Sequence, residues 1–198
     1  MRRVTLDEIL GIERYEKVRN DFRARIIALK RSRRAPVGDR VTFVFENHDT
    51  VLFQIQEMVR AERITDLDKI RFEIDTFNAL IPAAGELSAT MLIEITEQGG
   101  IRGELLRLLG IDETVSIQIG DRHVVRAEFE PGRSKEDKLS AVQYVRFPFG
   151  EAAREAFCDE RQEAKLVIDH PNYRAGAAIA GAVRRSVIGD LLSREHKS

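Results

Sequence analysis

Val115-Ser116-Ile117-Gln118-Ile119-Gly120-Asp121-Arg122-His123-Val124-Val125-Arg126-Ala127-Glu128-Phe129 decides the fold class of this chain. Val115, Ile117 and Ile119 alternate with polar residues, Gly120-Asp121 supplies a turn, and Val125, Ala127 and Phe129 resume the alternation. Period-two alternation on both sides of a tight turn is the pattern of a β-hairpin. The half of the chain around it reads the same way. Leu87, Ala89, Met91, Ile93 and Ile95 share one face of a strand, and Val145, Phe147 and Phe149 mark another. A helix near Glu151–Phe157, a strand at Lys165–Ile168 and a helix over roughly Ala177–Leu192 complete this half, followed by a polar tail. Pro131–Lys138 carries no apolar residue and reads as a charged loop.

The preceding half is richer in helix. Thr5-Leu6-Asp7-Glu8 has the hydroxyl and carboxylate of a capping box, with Gly11 as the expected stop. Asn20 or Asp21 can cap a helix over Phe22–Ser32, which ends in the basic run Lys30–Arg34, and Ala35–Asp39 reads as a turn. A strand, Val41–Phe45, leads into a helix over Val51–Arg63 capped by Asp49 or Thr50. Thr65-Asp66-Leu67-Asp68 starts another helix, to about Leu80. After Gly99–Gly103 a short helix covers Ile101–Leu109. The expectation is an α+β fold, mostly antiparallel sheet packed against helices. The 198 residues suit a single domain, with a helix-rich lobe 1–85 and a sheet-rich lobe 86–198 as the natural subdivision.

Composition narrows the function classes. The chain is 43% hydrophobic and 33% charged, enough apolar material for a core under well-solvated helix faces. Its net charge of −1 disfavours a dedicated nucleic-acid binder. Cys158 is the one cysteine, so a single chain can hold neither an internal disulfide nor a cysteine-ligated cluster. Asp159 and Glu160 beside it would raise its pKa and oppose nucleophilic use. No stretch approaches a membrane span, and the charged N-terminus lacks a signal core, so the cytoplasm is the expected compartment.

Glu46 to Glu62 concentrates the candidate chemistry. On a helical wheel Val51, Leu52, Ile55, Met58 and Val59 form one stripe, and Glu62 falls inside it. Phe53 and Ile64 lie opposite, beside Glu57 and Arg60. A helix apolar on two sides is expected to be covered on two sides, and its polar residues then need partners. The candidate ligand-binding set is Glu46, Gln54, Glu57, Arg60 and Glu62, joined by Asp169, His170 and Tyr173 from the run Asp169-His170-Pro171-Asn172-Tyr173. Glu46, His48, Glu62 and His170 are the residue types a metal ion would use. Each has a plainer structural reading: a Glu57–Arg60 pair, a solvent-facing Glu62, a turn at His48, a turn beside Pro171. No Gly-x-Ser-x-Gly elbow occurs. Gly176 and Gly181 have phosphate-loop spacing without the lysine. Gly100-Ile101-Arg102-Gly103 matches an RNA-binding glycine loop only in outline.

Longer runs carry a family resemblance. They are Phe22-Arg23-Ala24-Arg25-Ile26-Ile27-Ala28-Leu29-Lys30, Phe45-Glu46-Asn47-His48-Asp49-Thr50, Gln54 through Glu62, Leu80-Ile81-Pro82, Ala89 through Glu94, Ser140 through Phe147, and Asp169 through Tyr173. On these the chain resembles the bacterial domain of unknown function 3501 family over nearly its whole length. His48 stands where the family usually has Arg, and Asn78-Ala79-Leu80 where Asn-Pro-Leu is expected. The family has no established activity, so the resemblance carries over no catalytic residue and no cofactor. Its genes commonly neighbour those of a rubrerythrin-like di-iron protein and a cysteine-rich iron–sulfur oxidoreductase. The resemblance therefore implies an accessory or binding protein of an iron-dependent redox or peroxide-response module, rather than an enzyme. A metal- or small-molecule-binding enzyme or sensor with a carboxylate-lined cleft is the alternative, and an RNA-binding module a second. Rubrerythrin-like and iron–sulfur proteins are the implied partners, with a homo-oligomer left open.

Overall fold

The computed structural model describes residues 1–95, 101–130, 134–135 and 138–193. A single 3-10 turn at Leu6–Glu8 precedes α1 (Ile12–Arg31), β1 (Arg34–Val37), β2 (Val41–Phe45), α2 (His48–Ala61), α3 (Leu67–Asn78) and β3 (Glu86–Ile93). Then come α4 (Ile101–Arg107), β4 (Val115–Ile119), β5 (His123–Arg126), β6 (Glu128–Phe129), β7 (Ser134–Lys135), β8 (Lys138–Leu139) and β9 (Val142–Pro148). The chain closes with α5 (Glu151–Cys158), β10 (Ala164–His170), β11 (Tyr173–Ala178) and α6 (Gly181–Leu192). The strands pair antiparallel, in a five-stranded sheet ordered β1-β2-β3-β9-β6, a four-stranded sheet ordered β11-β10-β4-β5, and the small β7-β8 ribbon. The hairpin expected from Gly120-Asp121 is β4–β5, with Ile117 opposite Val125. Among the described residues no helix is long and apolar enough to cross a membrane.

One apolar core lies between the sheets. Phe43, Phe45, Leu87, Met91 and Phe147 from the larger sheet meet Ile117, Ile119, Leu166 and Ile168 from the smaller one, with Phe157 of α5 and Val187 and Leu191 of α6. A second core sits under the helices, where Val51, Ile55 and Val59 of α2 meet Ile70 and Ile74 of α3, Leu80, Ile81 and Val4. β2 is buried along its whole length, with Val41, Phe43 and Phe45 facing the inter-sheet core. The five-stranded sheet draws strands from before and after residue 85, so the two expected lobes share it.

Several boundaries differ from expectation, each for a local reason. Gly11 opens α1 as its N-cap rather than ending a helix, and Asn20 and Asp21 lie inside α1. Neither glycine nor proline interrupts Ile12 to Arg31, so the helix continues through Asn20 and Asp21 and no internal cap is used. Arg34–Val37 is a strand, since β2 pairs with it from Val44 back to Val41. Asn47, not Asp49 or Thr50, caps α2 by accepting the Thr50 N–H at 3.0 Å. β10 runs on through Asp169 and His170, and Tyr173–Ala178 forms β11 where a loop and helix start were expected; α6 begins only at Gly181. The charged 131–138 stretch contains β7 and the start of β8, its remaining residues lying outside the described ones.

The basic run at the end of α1 divides. Lys30 and Arg31 stay in the last turn, where cations suit the helix end. Arg33 is 1% exposed. It donates to the Phe45 carbonyl at 2.7 Å, the Glu46 carbonyl at 2.9 Å and Ser186 Oγ at 3.0 Å, and it pairs with the Asp190 carboxylate on α6. Arg184 performs a related task for α5. Its guanidinium donates to the carbonyls of Phe157, Asp159 and Gln162, capping the helix end while stacking over the Phe157 ring.

Candidate functional site

Strand register builds an enclosed polar site. Directly paired residues of neighbouring strands point to the same face. Ser88 pairs with Arg146, Arg146 pairs with Glu128, and the Glu46 N–H donates to the Ser88 carbonyl at 2.9 Å. Glu46, Ser88, Arg146 and Glu128 therefore form one row across β2, β3, β9 and β6. The next row is Val44, Thr90 and Tyr144, extended by the Glu130 N–H donating to the Tyr144 carbonyl at 3.1 Å. Both rows lie on the face away from the inter-sheet core. Glu46, Ser88, Arg146 and Glu128 of the first row and Tyr144 and Glu130 of the second line a cleft of about 240 Å³ with Ala79 and Leu80.

Glu46 is the most constrained group there, at 3% exposure. Its Oε1 accepts the Thr90 hydroxyl at 2.6 Å, and its Oε2 accepts the Thr50 hydroxyl at 2.5 Å and the Gln54 amide at 3.1 Å. Thr50 and Gln54 reach it because Asn47 starts α2 immediately above the end of β2. Arg146 is engaged elsewhere, with the Glu86 carboxylate and the Ala79 carbonyl. Ser88 Oγ donates to the Leu80 carbonyl.

The other candidates from the sequence occupy different places. Glu57 faces α1, where Tyr15 Oη donates at 2.7 Å and Arg19 forks onto it with Nε and an Nη, both at 2.8 Å. The Arg19 bonds, helped by Tyr15 and by the charge of Arg60, outweigh burial and hold the Glu57 carboxyl at about 2. Arg60 reaches Glu16 at 3.2 Å and lies 3.7 Å from Glu57. The covering of α2 on both sides is thus realised, by the helical core on one and by α1 on the other; there the Phe22 and Phe53 rings meet edge-on. Glu62 does not continue the apolar stripe. The helix ends at Ala61, and Glu62 is its exposed C-cap.

His48 lies in the first turn of α2, its Nε2 3.1 Å from Glu8 and its Nδ1 3.3 Å from Asp49. Burial works against ionisation of Glu8, but the Thr5 N–H, Arg2 and His48 prevail and hold its carboxyl below the ordinary range. His170 is buried; its Nε2–H reaches the Leu109 carbonyl at 2.9 Å while Nδ1 accepts the Asn172 N–H at 3.2 Å. Tyr173 donates to the Val37 carbonyl at 2.6 Å and accepts the Arg40 N–H at 3.1 Å, tying the β1–β2 turn to the smaller sheet. Asp169 pairs with exposed Arg174 at 3.1 Å. The structure brings Glu46 and Gln54 together, and Glu57 with Arg60; His48, Glu62 and the Asp169–Tyr173 run each sit apart. Among the described residues no three His, Cys, Asp or Glu side chains are grouped to hold a metal ion.

Sequence reasoning missed Ser88, Thr90, Tyr144, Arg146 and Glu128. The available signal was the off-phase set of each strand, since Ser88 and Thr90 alternate with Leu87, Ala89 and Met91, and Tyr144 and Arg146 with Val145 and Phe147. Cys158 keeps the direction expected for it but not the cause: burial raises its pKa, with Arg154 and Arg184 opposing. Of the outlined RNA loop, Ile101–Gly103 opens α4 and Gly100 lies outside the described residues, as does His196.

Comparison with known proteins matches this architecture to others without an assigned role. A protein of unknown function from Burkholderia pseudomallei K96243, known from a crystal structure, is 34% identical, with a TM-score of 0.89 over 96% of this chain and 100% of that one. No curated protein matches. The model of the family described as "Protein of unknown function (DUF3501)" matches residues 3–191. The chain belongs to the DUF3501 family.

Proposed function

We propose that this protein is a non-catalytic accessory protein of an iron-dependent redox or peroxide-response module, binding rubrerythrin-like and iron–sulfur partners. One observation carries the non-catalytic part: three of the candidate acid–base groups, Glu57, His170 and Tyr173, are already spent on internal bonds. A general base works best with a pKa near the operating pH, and Glu57 is held at about 2. His170 uses both ring nitrogens, and the Tyr173 hydroxyl both donates and accepts. The redox part rests on the gene neighbourhood that family membership implies.

The test uses purified components. The chain is titrated into a rubrerythrin-like protein and an iron–sulfur oxidoreductase encoded beside it, with calorimetry for binding and peroxide consumption for effect. A saturable complex with either partner and a changed peroxide rate, with no turnover by the chain alone, is expected. Absence of a complex with both partners would overturn the redox part; turnover by the chain alone would overturn the non-catalytic part.

A further inference from the structure

We infer that the cleft beside Glu46 is a binding site for a small organic cation, a primary ammonium or guanidinium group carrying a short apolar body. The inference starts from the state of Glu46. A carboxylate removed from water is ordinarily paired with a cation. Glu46 is 3% exposed, yet among the described residues no Lys, Arg or His forms an ion pair with it. Its donors are two hydroxyls and one amide, all neutral. An ionised carboxylate offers about four lone-pair positions. Three are filled, two on Oε2 and one on Oε1, which leaves one acceptor position on Oε1.

The surroundings select the sign of the ligand. Among the described lining residues Arg146 is the one cation, and it is already bound by Glu86 and the Ala79 carbonyl. Glu128, in the same cross-strand row, and Glu130 add carboxylates at the exposed rim. A positive ligand with N–H donors meets favourable charge here, and an anionic one does not. The walls select its body. Leu80 and the ring of Tyr144, both packed with the helical core, supply apolar surface. The volume of about 240 Å³ lies below the range of drug-sized pockets, so the body is short. A bare metal ion fits less well, because among the described residues no three His, Cys, Asp or Glu side chains are grouped to hold one.

The test is a titration of the full-length protein with n-butylammonium, benzylammonium and ethylguanidinium chlorides, followed by calorimetry and by Tm. Sodium butyrate and tetramethylammonium chloride serve as controls, the first anionic, the second cationic without an N–H. Saturable binding and a raised Tm are expected for at least one of the first three and for neither control. Glu46→Gln should weaken that binding about tenfold or more, the loss of a charge-assisted contact. Glu128→Lys, an exposed change at the rim, should weaken it several-fold while leaving the fold intact. The inference is overturned if none of the three cations binds, or if butyrate binds as well as they do. Retention of wild-type affinity by a folded Glu46→Gln protein also overturns it. Where that variant does not fold, unchanged affinity in Glu128→Lys does so. Partner binding by the chain is read separately, so failure here leaves the accessory role standing or falling on its own assay.

Discussion

Replacing Glu57 tests whether the α1–α2 contact is an electrostatic clamp. The carboxylate accepts one bond from Tyr15 and a fork from Arg19, and its pKa falls from 4.5 to about 2. A folded-state pKa below the unfolded one stabilises the protein above the unfolded value, and that contribution is lost as pH falls from about 4.5 toward 2. Linkage alone sets its size at about 3 kcal/mol near neutrality. The side chain keeps 26% of its surface in solvent, and screening reduces the figure to about 1–2 kcal/mol. Glu57→Gln removes the charge but leaves an oxygen for the Tyr15 hydroxyl, so it should cost about that much. Glu57→Ala also strands the hydroxyl of Tyr15, which is 0% exposed, and should cost a further ~1–3 kcal/mol. Urea unfolding at about pH 7 and about pH 3 measures both. The gap between wild type and Glu57→Gln should narrow by more than half on acidification. A Glu57→Gln protein as stable as wild type near neutrality, or a gap that does not narrow, would refute the clamp.

Further substitutions probe the frame. Arg33→Met leaves Asp190 buried without its cation and should cost about 3–5 kcal/mol in urea unfolding, whereas Arg33→Met with Asp190→Leu should recover much of the loss. Burial raises the Asp190 pKa above 3.8 despite Arg33, so this group's contribution to stability falls as pH rises from that value through the native one; Asp190→Asn should abolish that part of the pH dependence. Gly38→Ala should lower Tm far more than Gly85→Ala. Both glycines have positive φ, but a Cβ at Gly38 would lie 2.4 Å from the Tyr173 hydroxyl, whereas at Gly85 the nearest atom is 3.9 Å away. Arg184→Met should destabilise by about 2 kcal/mol or more, because it uncaps the carbonyls that end α5 inside the protein.

Much of the fold was legible because it is locally encoded. Alternation in Leu87–Ile95 and about Gly120-Asp121 identified β3 and the β4–β5 hairpin, since side chains on a strand take opposite faces in turn. The two apolar sides of Val51–Glu62 foretold that α2 would be covered twice. Local signals misled where a residue type serves two purposes. Gly11 can end a helix or begin one, and the Lys30–Arg34 run resembles a solvated helix end although Arg33 is inside.

The candidate site was only half legible. Glu46 and Gln54 stand eight residues apart on one strand–helix unit, and their nearness follows from the turn between them. Ser88, Tyr144, Arg146 and Glu128 reach the same cleft only through the pairing of β2 with β3, β3 with β9 and β9 with β6. The sequence by itself determined which residues each strand shows to its two faces, because that depends on a period of two. Only the tertiary structure decided which strand lies beside which and in what register. Register is settled by burial and hydrogen bonding between segments far apart in the chain, and a slip of one residue would turn every one of these polar side chains to the other face.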